Sequence, residues 1–378
     1  MACVASRQTR ALMGRYCTGV TAIGMMRNGC ANVQPFNCFR RQDFPCQDES
    51  LFSQRYLSTT NHEEEELFEN NNMTGWTVRE TLERSQSLLV KADAPEPESS
   101  VTHLLAYALG LSWETGFVQL RHASNDDDDD DALSKHILSS NEASLFSNML
   151  QRRVKKEPLQ YILGKWDFLD YTFLIRPPLL CPRPETEELV LKVVEDAKQR
   201  LLSGTVVRIL DVGCGTGAIG VSLAALLRDA QVVAIDIEPI AVSTSNENAL
   251  IILGECNRYQ AMLCSADAFV NDGAAFDVIV SNPPYIPEHD METLSDDVVR
   301  YESRQALCGG KDGMDVIREI ILHSPQWSRP GGVIWMEVDP THPKLLREWL
   351  DSEALGVVFD SVHQDLYGRD RFVKLKLV

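Results

Sequence analysis

Ser281-Asn282-Pro283-Pro284-Tyr285 follows the apolar run Phe276-Asp277-Val278-Ile279-Val280, which reads as a buried strand. Asn282 offers a side-chain carbonyl that accepts a hydrogen bond from an NH2 group. Pro283 and Pro284 stiffen the segment and leave backbone carbonyls as further acceptors. Two acceptors orient a planar NH2 group and stabilise the positive charge that develops on its nitrogen. Tyr285 adds a flat face for stacking a planar amide or base. Such a loop suits transfer of a methyl group to a planar nitrogen, a step that needs neither a metal nor a covalent intermediate. The bland alternative is a tight turn with an exposed aromatic. Four specified residues after a buried strand argue against it.

Upstream, Asp211-Val212-Gly213-Cys214-Gly215-Thr216-Gly217 also follows an apolar strand. Its glycines let the backbone turn sharply and approach a ligand, and the helix expected from about Ala218 aims free N–H groups at it. Asp236 lies nineteen residues past Gly217, at the end of the next strand, where a carboxylate accepts from ribose hydroxyls. Gly213-x-Gly215-x-x-Ala218 equally fits a dinucleotide fingerprint, so a nicotinamide dehydrogenase competes. Asp211 weighs against it, because its charge opposes a pyrophosphate and suits a cationic ligand such as S-adenosylmethionine. Asp267, in Ser265-Ala266-Asp267-Ala268, is placed to accept from an adenine amino group. These acids would otherwise be simple helix or turn caps.

Alternating strands and helices position these residues. Strands are expected at Val206–Asp211, Gln231–Asp236, Tyr259–Cys264, Phe276–Ser281 and Gly332–Glu337. Helices are expected at 185–202, Ile219–Leu227, Pro239–Leu253, Met314–Ser324 and Pro343–Leu350. The alternation predicts a parallel sheet covered on both faces. Val357–Val362 and Arg371–Leu377 read as a closing antiparallel pair. Three or four short helices are expected across 74–156, the first opened by a Thr77/Glu80 capping box. A connecting segment over 157–187 carries strand-like pieces at Trp166–Phe168 and Thr172–Ile175. The catalytic domain is then 188–378.

The net charge of −19 argues against gripping nucleic acid by its phosphates, and there is no apolar run long enough to span a membrane. Charge is uneven: six of the 36 basic residues and none of the 55 acidic ones precede Asp43, which leaves −25 for the rest. An acid-free, Arg-bearing segment over 1–42 reads as an organellar transit peptide, mitochondrial first and plastid second. Residues 43–73 read as an acidic linker, and the Asp126–Asp131 run within 122–136 as a solvated loop insert. That run lacks the spaced ligands of a calcium loop. The ten cysteines include no C-x-x-C pair, so neither a zinc site nor a disulfide framework is expected. Cys214 reads as a small filler within its loop.

The two motifs at this spacing resemble class I S-adenosylmethionine-dependent methyltransferases. Glu157-Pro158-Leu159-Gln160-Tyr161-Ile162-Leu163-Gly164 and Pro182-Arg183-Pro184-Glu185-Thr186-Glu187 resemble the signature of the HemK/PrmC family. Gly309-Gly310-x-Asp312-Gly313-Met314-Asp315, Pro330-Gly331-Gly332 and Gly368-Arg369-Asp370-Arg371 fit it too, so the resemblance covers roughly 75–378. Glu337-Val338-Asp339-Pro340-Thr341-His342-Pro343 resembles the animal mitochondrial branch.

The resemblance implies a Rossmann-like seven-stranded sheet with a small helical domain in front. It also implies methylation of the glutamine side-chain nitrogen in the Gly-Gly-Gln loop of class I peptide-chain release factors. Asp211, Gly213, Cys214, Gly215, Thr216, Gly217, Asp236, Asp267, Ala268 and Asn282 would then hold the cofactor. Asn282, Pro283, Pro284 and Tyr285 would frame the glutamine, with Asn282, Pro283 and Tyr285 closest to the chemistry. Relatives often carry an aromatic where this chain has Ala268, with Phe269 as the available substitute. The helical domain would help grip the release factor. Rival readings are a ribosomal-protein glutamine as substrate, an adenine of nucleic acid, or a catalytically silent binding module.

Overall fold

The computed structural model describes residues 73–113, 115–123, 132–201, 206–254, 257–271 and 273–378. The expected transit segment 1–42, the linker up to residue 72 and the Asp126–Asp131 run lie outside the described residues. Residues 75–378 form one compact unit.

Four helices come first: α1 (Val78–Lys91), α2 (Pro97–Ala108), α3 (Gly116–Ala123) and α4 (Ser140–Val154). The expected Thr77/Glu80 capping box is present, and a second, Ser139/Glu142, opens α4. Each box satisfies N–H groups that a helix start leaves without partners. The helices bury Leu89, Leu104, Leu105, Leu120, Phe146 and Leu150. Arg153 is buried with them, and its guanidinium donates to the Pro95 and Glu157 carbonyls and to Ser100 Oγ.

The connector contains a helix that the sequence did not announce, α5 (Leu159–Leu163). Pro158 sits just before it, where its missing N–H costs nothing. Strands β1 (Lys165–Phe168) and β2 (Tyr171–Leu174) follow as an antiparallel hairpin. Helix α6 (Pro184–Leu201) then leads into the alternating half.

That half comprises β3 (Val207–Val212), α7 (Ala218–Leu226), β4 (Ala230–Asp236), α8 (Pro239–Leu253), β5 (Tyr259–Leu263) and β6 (Phe276–Ser281). Two short helices, α9 (Asp296–Tyr301) and α10 (Arg304–Leu307), precede α11 (Asp315–Trp327) and β7 (Ser328–Glu337). Helix α12 (His342–Ser352) and strands β8 (Val357–Gln364) and β9 (Asp370–Leu377) close the chain. The seven-stranded sheet has the order β5-β4-β3-β6-β7-β9-β8. Its first five strands run parallel, and β9 pairs antiparallel with both β7 and β8. Strand β7 starts before the expected Gly332, because a register shift between Phe276 and Val278 lets Ser328 pair ahead of Pro330.

Period-two alternation divides the side chains of the central strands between the two faces. Leu210, Val212, Ile279, Ile334 and Met336 pack in one core with Ile317, Ile320 and Ile321 of α11 and Leu346 of α12. The alternate residues face α6 and α7: Asp211 bonds to Gly220, and Trp335 to Asp196. Glu337, two residues beyond Trp335, shares that α6 face, and this decides what surrounds it.

Candidate active site

Strand β3 neighbours β4 on one side and β6 on the other, so the strand order reverses there and the carboxyl ends of β3 and β6 open a crevice. Val212 pairs in register with Ser281, so Gly213 and Asn282 leave the sheet side by side. Ser281 Oγ donates to the Val212 carbonyl at 2.6 Å and stitches the two exits together. The cleft above them encloses about 230 Å³. Gly213, Cys214, Gly215, Thr216, Asp236, Asn282, Pro283 and Pro284 all line it.

The glycine loop is held through its backbone N–H groups, most of them bonded to the adjacent strand β4. Gly213 and Cys214 N–H groups donate to the Ile235 carbonyl, Gly217 N–H to Cys214, and Gly215 N–H to Asp236 Oδ2 at 2.9 Å. Those four donors are therefore committed to protein acceptors rather than to a pyrophosphate, which disfavours the dinucleotide reading. Gly217 has φ +84°, and a Cβ there would lie 2.9 Å from Ser245 Cβ. Only glycine satisfies both constraints. Cys214 is buried beside Ser245, and burial raises its thiol pKa well above the ordinary value. It is a filler and not a nucleophile. Asn248 of α8, fully buried, donates to the carbonyls of Thr216 and Leu174 and accepts from Leu174 N–H. It ties the loop to the hairpin, and nothing local in the sequence marks it out.

Asp236 accepts from Gly215 N–H on one oxygen and from Glu238 N–H on the other. Each oxygen keeps a lone pair for a hydroxyl ligand. Burial raises its pKa, against those same amides. Ile237, more than half exposed, adds apolar surface beside it, and Ala266 lines the cleft further on. A diol acceptor next to an apolar wall fits a nucleoside, and these residues together fit S-adenosylmethionine.

Several residues expected in the cleft stand elsewhere, and Gly217, at the cap of α7, does not line it. Asp211 is fully buried and turned toward α7, where Oδ2 accepts from Gly220 N–H at 3.0 Å. Strand alternation puts it on the helix-covered face rather than in the cleft. Burial, opposed by that N–H and reinforced by the charge of Asp236, pushes its pKa up to about 7. Asp267 and Ala268 are exposed and do not line the cleft. The turn after β5 rotates Ser265 and Ala266 inward instead, and Asp267 accepts from Ser265 Oγ. Phe269 does not replace an adenine-stacking aromatic either, because it packs against Phe276 and Trp327 in the core.

The Asn-Pro-Pro-Tyr loop is held by side chains from distant segments. Asn282 Nδ2 donates to Thr186 Oγ1 at 3.2 Å, and Thr186 Oγ1 donates to Glu337 Oε2 at 2.7 Å. Tyr285 donates its hydroxyl to Glu337 Oε1 at 3.2 Å. Its ring is not part of the cleft wall, in contrast to the stacking face expected of it, and lies 5.8 Å from the Arg371 guanidinium. Burial raises the Glu337 pKa; Thr186, Arg371 and Tyr285 oppose the shift. The Gly309–Gly313 turn packs against the loop's backbone: a Cβ on Gly309 would lie 2.5 Å from the Pro284 carbonyl. Across the cleft, Arg183 Nη2 donates to both oxygens of buried Glu302 at 2.8 and 2.7 Å. No local sequence pattern gives Thr186 or Glu337 a role; a carboxylate at the end of an apolar strand is the available signal. Among the described residues, no three His, Cys, Asp or Glu side chains come together as metal ligands.

A mainly parallel seven-stranded sheet with a crevice at its topological switch point, lined by a glycine loop, the Asp236 carboxylate and Asn282, fits a class I S-adenosylmethionine-dependent methyltransferase. Residues 188–311 match the methyltransferase small domain, and residues 80–164 match the PrmC N-terminal domain. The chain is 36% identical to the MTRF1L release factor glutamine methyltransferase of Homo sapiens over 293 residues, covering 76% of this chain and 83% of that protein. It is 35% identical over 264 residues to the release factor glutamine methyltransferase of Geobacter sulfurreducens, covering 70% and 84%. The chain belongs to the HemK/PrmC family of release factor glutamine methyltransferases.

Proposed function

We propose that this enzyme methylates the side-chain nitrogen of the glutamine in the Gly-Gly-Gln loop of an organellar class I peptide-chain release factor. The observation that carries the reading is the register of β3 with β6, which opens one cleft between the glycine loop and Asn282. Gly213, Cys214, Gly215, Thr216, Asp236 and Ile237 hold S-adenosylmethionine, which supplies an electrophilic methyl group when bound. Asn282 Oδ1 accepts from the glutamine NH2, and a carbonyl of the Pro283-Pro284 segment accepts its second hydrogen. Together they aim the nitrogen lone pair and stabilise the charge that grows on nitrogen. No nucleic acid is needed, and a surface of −19 discourages one.

The helices over 74–156 serve as the grip on the release factor. The acid-free composition of residues 1–42 supports delivery to the mitochondrial matrix. The deciding experiment incubates purified enzyme, S-adenosylmethionine and a mitochondrial release factor, then maps modified peptides by mass spectrometry. One methyl group on the Gly-Gly-Gln glutamine is the expected result. A methyl group on another side chain, or on ribosomal protein alone, would overturn the assignment.

A further inference from the structure

Asn282 works as an acceptor only if its amide carbonyl, rather than its NH2, faces the cleft. The two ends of a carboxamide have nearly the same shape, so packing alone does not choose between them. Whatever bonds to the other end must choose. That partner is Thr186 Oγ1, 3.2 Å from the Asn282 amide.

A threonine hydroxyl has one proton to give. Thr186 lies 2.7 Å from Glu337 Oε2, and an ionised carboxylate only accepts. The Thr186 proton is therefore committed to Glu337, and the hydroxyl can only accept from Asn282. The Asn282 NH2 must point at Thr186, which leaves Oδ1 toward the cleft. Tyr285 bonds the second Glu337 oxygen at 3.2 Å, so the same carboxylate anchors both ends of the Asn-Pro-Pro-Tyr loop. Burial raises the Glu337 pKa, and the Thr186 hydroxyl, the Arg371 guanidinium and the Tyr285 hydroxyl around it favour the ionised form against that burial.

We propose that Glu337 and Thr186 are positioning residues: a carboxylate-to-hydroxyl relay that sets which end of the Asn282 amide meets the substrate nitrogen. The relay rests on the methyl-transfer reading above, but its orientation follows from proton counting within this chain. It touches neither substrate nor cofactor through Glu337, which lies fully buried behind the loop.

Three variants test it. Thr186→Val removes the hydroxyl at nearly constant shape. Glu337→Gln keeps the volume but ends the obligation to accept: with its NH2 turned to Thr186, the hydroxyl proton is free for Asn282 Oδ1. Thr186→Ser keeps the hydroxyl. With release factor as substrate, Thr186→Val and Glu337→Gln are expected to lower kcat by about 10- to 100-fold, the range for a misoriented reacting group. KM, the Kd for S-adenosylmethionine and the melting temperature should change little, and Thr186→Ser should restore turnover. The Asn282 side-chain NH2 resonance, followed by NMR in the enzyme alone, should shift in Thr186→Val. Wild-type kcat in Thr186→Val overturns the relay. If the wild-type enzyme leaves the release factor unmodified, the substrate reading fails instead. The relay is then judged on that resonance, and an unmoved signal overturns it.

Discussion

The glycine loop after β3 and the Asn-Pro-Pro-Tyr loop after β6 leave neighbouring strands at paired positions, yet different parts of the chain hold them. The first is fixed through its backbone groups: its N–H groups bond to the Ile235 and Cys214 carbonyls and to Asp236 at the end of the adjacent strand. The second is fixed by residues remote in sequence, with Thr186 bonding Asn282 and Glu337 bonding both Thr186 and Tyr285. Each arrangement matches its load. A cofactor that binds mainly by shape needs a cradle without side chains in the way. A nitrogen that must be aimed needs one carbonyl whose direction is set from behind.

This contrast predicts unequal penalties. Asn282→Ala removes the aimed acceptor and should lower kcat by about 10²- to 10³-fold, the cost of losing one preorganised partner of a developing charge. The melting transition should stay in place, since a half-buried polar side chain is lost rather than core volume. Near-normal turnover would take Asn282 out of the chemistry and erase the distinction between the loops. On the cofactor side, Asp236→Ala should weaken S-adenosylmethionine binding by about 1–3 kcal/mol, as expected for hydrogen bonds to a charged group. Calorimetry reads this directly. An unchanged Kd would mean that the glycine backbone suffices and Asp236 merely anchors Gly215 and Glu238.

The same contrast explains what the sequence disclosed. Gly213–Gly217, Asp236 and Asn282–Pro284 stood out because their chemistry is written in adjacent residues at strand ends. The parallel alternation followed from apolar periodicity, and α8 and β6 have the bounds read from it. Thr186, Glu337, Ser281 and Asn248 gain their roles only through contacts that cross from one segment to another, which no local pattern encodes. Asp267 and Ala268 were misplaced for a related reason. Past the end of β5 the turn is irregular, and period two no longer says which residue faces the cleft. Tyr285 shows the same limit, since the partner that draws its hydroxyl away from the cleft lies at the end of another strand.

Asp211 is the remaining acid of the glycine motif, and its behaviour sharpens the comparison at the smallest scale. It sits beneath the first loop, bonded to Gly220 of α7, and does not line the cleft. Its Oδ2 holds Gly220 N–H while buried Oδ1 has no hydrogen-bond partner. Burial raises its folded pKa from 3.8 to about 7. Between those values the native state binds more protons at this site than the unfolded chain does. Native stability is therefore lost as pH rises through that window, by at most about 1.4 kcal/mol per pH unit for one proton. Asp211→Asn keeps a carbonyl for Gly220 and removes the titration. Denaturant melts of both proteins between about pH 4 and 7 should show wild type losing stability relative to the variant as pH rises. Parallel curves would mean that the carboxylate stays ionised throughout and that its burial does not raise its pKa.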